Sequence, residues 1–138
     1  MDSQIASAPL AHGQNDSPNL RIVRAAFDVS VEKGFVAGLE ALLDHAREDC
    51  TFRPYIASGE PISGHDAVRA FYRSAANDGT EMRLRPTTFR EEGDTVIVNG
   101  TMRVARPSGG FSESQISWTY EFQDGLLAAA SWCPRRPG

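Results

Sequence analysis

The chain has 138 residues, 41% hydrophobic and 23% charged, with a net charge of −4 and a pI near 5.3. That length fits one domain with a substantial core. The acidic balance argues against a nucleic-acid or anionic-membrane partner, and no apolar run approaches the roughly 20 residues of a membrane span. Cys50 and Cys133 are too few for a disulfide framework and form no CxxC pair, although a single bridge between them stays open. With Asp2 in place of a basic cluster and no continuous apolar stretch after it, no secretory signal is expected. The cytoplasm is the default compartment.

Residues 1–17 lack periodicity and read as a flexible tail. Ser17-Pro18 has the form of an N-cap followed by proline at the first helical position. Leu20, Val23, Phe27 and Val31 form the apolar stripe of a first helix that Gly34 ends. Phe35, Leu39, Leu42 and Leu43 continue as a second helix, finishing near His45. Asp49–Tyr55 alternates like a strand and is stopped by Pro54 and a loop through Gly59. A third helix follows, with Val68, Phe71, Tyr72 and Ala75 on one face and Asp66 in its first turn, and it ends near Asn77-Asp78-Gly79.

From Glu81 onward the pattern is all strand. Glu81–Arg90 and Thr95–Arg106 flank a turn at Glu91–Asp94, and Pro107–Gly110 leads into Phe111–Gln123. In that segment Ile116, Trp118, Tyr120 and Phe122 alternate with Gln115, Ser117, Thr119 and Glu121. Asp124-Gly125 is a strong turn signal before Leu126–Pro134, and residues 135–138 form a short tail. Helices first and an antiparallel meander afterwards predict an α+β domain over 18–134, with helices on one face of the sheet.

Gly34–Leu43, Asp49–Pro54, Ser63–Tyr72 and Trp118–Gly125, in this order and spacing, resemble the SnoaL-like (polyketide-cyclase-like) group of the nuclear transport factor 2-like superfamily. The resemblance implies a cone-shaped, curved antiparallel sheet capped by three N-terminal helices, with an apolar pocket inside and dimers formed through the outer sheet face. Val96, Val98 and Met102, or their strand neighbours, would then supply an apolar patch on that outer face. It does not fix the chemistry. The ketosteroid-isomerase positions carry Ala26, Pro54 and Trp118, and the limonene-epoxide-hydrolase positions carry Asn99, Thr101 and Trp132. Both carboxylate sets are absent, so no catalytic residue is assigned and enzymatic activity stays open.

Trp118 and Trp132, carried into the cone by the resemblance, are either core packing or a stacking wall for a flat apolar ligand. Phe71 belongs to the same apolar set. Tyr55 and Tyr72 bring hydroxyls that are core side chains or orienting donors at the pocket mouth. Arg103, with Asn99 and Thr101, faces the pocket if the resemblance sets the register and faces solvent if the Val96-Val98-Met102-Val104 alternation does. An inward Arg103 would bind a carboxylate, phenolate or enolate oxygen. His65 reads as helix-start structure. His12, His45 and His65 have no metal-ligand spacing, so neither a metal nor a cofactor is expected. Three functions remain: a domain binding a small, largely apolar molecule; an isomerase, cyclase, dehydratase or hydrolase acting on a polyketide- or terpenoid-like substrate; and a protein-interaction or assembly domain.

Overall fold

The computed structural model describes residues 16–53, 60–77 and 79–134. The two tails (1–15 and 135–138), Pro54, Tyr55 and the side chain of Ala75 lie outside the described residues. The elements run α1 (Pro18–Lys33), α2 (Phe35–Leu43), β1 (Ala46–Arg53), β2 (Ile62–Ser63), α3 (His65–Asn77), β3 (Glu81–Glu92), β4 (Thr95–Ala105), β5 (Phe111–Gln123) and β6 (Leu126–Pro134). Three helices pack on one curved, unclosed sheet of order β2-β1-β6-β5-β4-β3. The last four strands form the expected antiparallel meander, whereas β1 joins β6 in parallel. That pairing draws β1 back to Ala46, three residues before the alternation begins.

Local chemistry places each helix. The Ser17 side chain accepts from the Leu20 N–H at 3.1 Å, and Pro18 occupies the first turn of α1. Gly34, at φ 109°, closes α1 and opens α2. His65 Nε2 lies 3.1 Å from the Ala46 carbonyl and 3.0 Å from that of Arg47. Two carbonyl acceptors require the N–H on Nε2, so this histidine clamps α3 to the start of β1. The Asp124-Gly125 turn has φ 53° and 82°, the left-handed pair that a two-residue hairpin needs.

Alternation holds on β4 and β5. Val96, Val98, Met102, Ile116, Trp118, Tyr120 and Phe122 are buried beneath the helices. Burying each such side chain contributes about 1.5–3 kcal/mol. Val96, Val98 and Met102 therefore belong to the core, not to an outer apolar patch. Val31 departs from the expected stripe: Leu20, Val23, Ala26 and Phe27 are buried, while Val31 is 65% exposed. A third step of four residues after Phe27 rotates it off the buried face, where Ser30 stands instead.

Two glycines admit close contacts. A Cβ on Gly38 would lie 2.6 Å from Ser30 Cβ and 2.8 Å from the Ala26 carbonyl, so α1 and α2 meet at a spot only glycine fits. At Gly100 the obstacle would be the Arg85 carbonyl at 2.2 Å, beside the irregularity between Pro86 and Thr88. Gly38→Ala is expected to lower stability by about 1–3 kcal/mol in urea unfolding. Gly110→Ala, with nothing within 4 Å, should change it little.

Candidate functional site

The inner face of the sheet carries one continuous apolar row, three of its four members aromatic. Register places Phe89, Val98, Trp118 and Trp132 side by side across β3, β4, β5 and β6. The helices bring rings down onto it. Phe27 from α1 meets Trp118 edge-on at 5.1 Å, and Phe35 from α2 meets Trp132 at 5.6 Å. Tyr72 from α3 stacks on Trp132 with centroids 5.6 Å apart and planes at 27°. Phe71 is half-buried and packs edge-on against Tyr72 at 5.0 Å. The structure thus unites four of the expected residues: Phe71, Tyr72, Trp118 and Trp132.

These rings fill most of the cone. The space left among Ala26, Phe27, Phe35, Phe52, Tyr120 and Trp132 is about 30 Å³, well below the several hundred Å³ of a typical ligand site. An internal pocket of ligand size is therefore not open among the described residues, because two indoles and a phenol occupy the volume the sheet curvature encloses. Tyr120 and Ala26, which the sequence reading did not single out as ligand-lining, border the remaining space. For Tyr120 the two-residue period it shares with Trp118 on β5 is the signal; Ala26 has none beyond its place beside Phe27 on α1.

Two polar atoms in this apolar interior stand out. Tyr72 Oη and Trp118 Nε1 are buried and find no hydrogen-bond partner among the described residues. Ser30 Oγ, at the edge of the same space, is in the same condition. A buried donor or acceptor left unpaired costs about 1–3 kcal/mol, so such groups ordinarily have a use. Burial pushes the Tyr72 phenol far above its ordinary 10.0, and burial followed by the proximity of Tyr72 does the same to Tyr120. No charged side chain is buried among the described residues.

Asn99, Thr101 and Arg103 take the second of the two registers left open by the sequence. They pair with Ser117, Gln115 and Glu113, which puts all six on the outer face, opposite Trp118 and Trp132. The alternation of β4 sets its register, and the positions that share the inner face are Val98, Gly100 and Met102. Asn99 accepts a 2.6 Å hydrogen bond from Ser117 Oγ. Thr101 and Arg103 instead line a separate open groove of about 700 Å³, bounded by the α1–α2 turn and the first residues of β3. The groove and the inner space share Ser30, Phe35 and Leu84.

No group of three or more His, Cys, Asp or Glu is arranged to hold a metal ion among the described residues. Cys50 is buried and Cys133 exposed, and both are free thiols. The charged cluster nearest the helices is superficial. Arg69 Nε donates to Glu40 at 2.8 Å and Arg73 to its other oxygen at 2.8 Å, which ties α2 to α3. The hydrogen bond from Arg69 is the main reason the Glu40 carboxyl stays below its ordinary value.

A SnoaL-like domain model matches residues 23–130. The chain belongs to the SnoaL-like family. Solved structures agree on the fold. An NTF2-like protein of unknown function from Burkholderia pseudomallei superposes with a TM-score of 0.73 at 24% identity, covering 87% of this chain and 92% of that one. TerC, crystallised with polyporic acid, gives 0.71 at 22% identity over 86% and 92% of the two chains. An LEH-like epoxide hydrolase of M. tuberculosis gives 0.67 at 12% identity over 86% and 83%. No curated protein matches the chain. These likenesses assign no reaction to this SnoaL-like chain, and no carboxylate is buried among the described residues.

The two tyrosines generate an expectation for this SnoaL-like core. Their raised pKa values mean that the folded state holds protons the unfolded chain releases near 10.0. Their contribution is complete below that pH and is lost as pH rises above it. Urea midpoints measured from pH 8 to about 11 should fall beyond pH 10, more steeply than for the Tyr72→Phe variant.

Proposed function

We propose that this SnoaL-like domain binds a small, largely apolar ring compound under its helices when Phe35 and Leu84 move aside, with no reaction assigned. The pair of unpartnered buried atoms, Tyr72 Oη and Trp118 Nε1, carries this reading. Each offers a directional hydrogen bond within an aromatic wall, which is how an apolar site orients one oxygen of a guest. Phe35 and Leu84 stand between the inner space and the open groove, so their displacement would join the two volumes. TerC, which shares the fold, was crystallised with polyporic acid. Catalysis by an isomerase, cyclase, dehydratase or hydrolase route would need a base that the inner face does not supply.

In the same reading Trp132 is the stacking surface. Calorimetry against a panel of polycyclic ketones and quinones tests this. Trp132→Ala should weaken the best ligand by about 2 kcal/mol or more, as truncating a buried aromatic anchor does. Tyr72→Phe should also lose affinity while leaving thermal stability equal or higher, since it removes an unpaired hydroxyl. A panel without any binder, or a Trp132→Ala variant of undiminished affinity, would sink the proposal. Tyr55, outside the described residues, keeps its proposed place at the mouth.

We also propose a homodimer through the outer sheet face. The expected apolar patch is not there. In its place Ile97, Asn99, Thr101, Ser117, Thr119 and Ser131 form a half-buried, uncharged centre. Arg85, Arg103, Glu113 and Glu121 confine charge to its rim, the layout of a polar-rimmed interface. Sedimentation across micromolar concentrations should give a dimer that Thr119→Arg converts to monomer, and a monomeric parent protein would overturn it. Cytoplasmic residence suits the free buried thiol of Cys50, and no described helix is long and apolar enough to cross a membrane.

A further inference from the structure

The open groove beside the α1–α2 turn is distinct from the cone and differs from it in chemistry. Its volume of about 700 Å³ lies within the range of small-molecule sites. Lys33, Arg83, Arg85 and Arg103 line it against Glu32, Glu81 and Glu113, a cationic excess in a chain whose net charge is −4. The arginines are incompletely neutralised. Arg83 reaches Glu81 only at 3.9 Å, and no ion pair engages Arg85 or Arg103 among the described residues.

Arg103 is held in a defined attitude. Its guanidinium lies 4.1 Å from the centre of the Phe111 ring, and this contact leaves its N–H groups available around the edge. Glu113 is its register partner on β5 yet makes no ion pair with it. Register also sets Arg83 beside Arg103 and Arg85 beside Thr101, so three guanidinium groups rise from adjacent positions on two strands. Like charges this close repel one another, which an anion would relieve. Phe35, Val36 and Leu84 supply an apolar wall at the other side of the groove.

We infer that this groove binds a carboxylate attached to an aromatic ring, its oxygens taken by Arg85 and Arg103 and its ring laid against Phe35 and Val36. A planar carboxylate matches the guanidinium fork in a way that a spherical anion does not. The ring accounts for the apolar wall, which would add nothing for an inorganic anion. The groove shares Phe35 and Leu84 with the space under the helices, whereas its arginines lie outside that space.

Calorimetry with 2-naphthoate and with 2-naphthamide tests it, since the two share a ring and differ in charge. The parent protein should bind the carboxylate about tenfold or more tightly than the amide, the weight of a charge-assisted hydrogen bond. Arg85→Ala/Arg103→Ala should erase that difference, and these exposed positions leave the core intact, as circular dichroism would verify. Arg85→Lys/Arg103→Lys should retain charge but lose most of the preference. Tyr72→Phe, which keeps the ring beside Phe35, should leave naphthoate binding unchanged, which separates failure here from failure of the cone. Equal affinity for the two probes, no naphthoate binding, or a preference that survives the double alanine variant would each overturn the inference.

Discussion

The contact on which the rest of this structure depends is the meeting of Phe27 and Trp118, 5.1 Å apart and edge to face. From it rings continue without a break: Trp118 lies 6.4 Å from Trp132, and Trp132 stacks on Tyr72. One chain of aromatics thereby links α1, β5, β6 and α3. Edge-on geometry sets ring positive edges against negative faces, which fixes orientation as well as burying area. The helices are thus held to the sheet chiefly through shape and ring electrostatics, with Arg69 and Glu40 bracing only their outer surface. The same packing consumes the volume under the sheet, so cohesion and cavity compete for one space.

That competition frames the chemistry. Relatives on this fold run unrelated reactions because the scaffold fixes only where side chains point. Here the inward positions carry indole, phenol, phenyl and aliphatic groups, and charge has moved to the exposed face and edges. Acid–base work at the inner face would have to use a phenol whose burial opposes ionisation. Among the described residues the interior is thus apolar and rich in rings, and charge is kept to the surface.

Much of this was legible in the chain. The two-residue period of Ile116, Trp118, Tyr120 and Phe122 determines which face each residue takes, because a slip of one would expose four large side chains. Asp124-Gly125 announced its own left-handed turn. Arg103 was ambiguous because likeness to relatives and local alternation differ by one residue, and burial of Val98 and Met102 settles that difference. Val31 misled because helical spacing tolerates a drift that becomes visible only at the helix end. The filling of the cone could not be read at all. It is a sum over side chains from five elements, and no short pattern encodes it. Nor does sequence periodicity show that β1 lies parallel to β6, a pairing between segments far apart in the chain.

That parallel pairing shapes how the molecule comes together. β1 hydrogen-bonds to β6 on one side and, on the other, only to the two-residue β2. During synthesis the N-terminal third emerges first, yet its strand has no long partner until the final strand has left the ribosome. The apolar faces of α2 and β1, with Leu39, Leu43 and Phe52, must wait exposed for that interval. Nascent chains of this protein therefore carry their adhesive surface early and their means of covering it last.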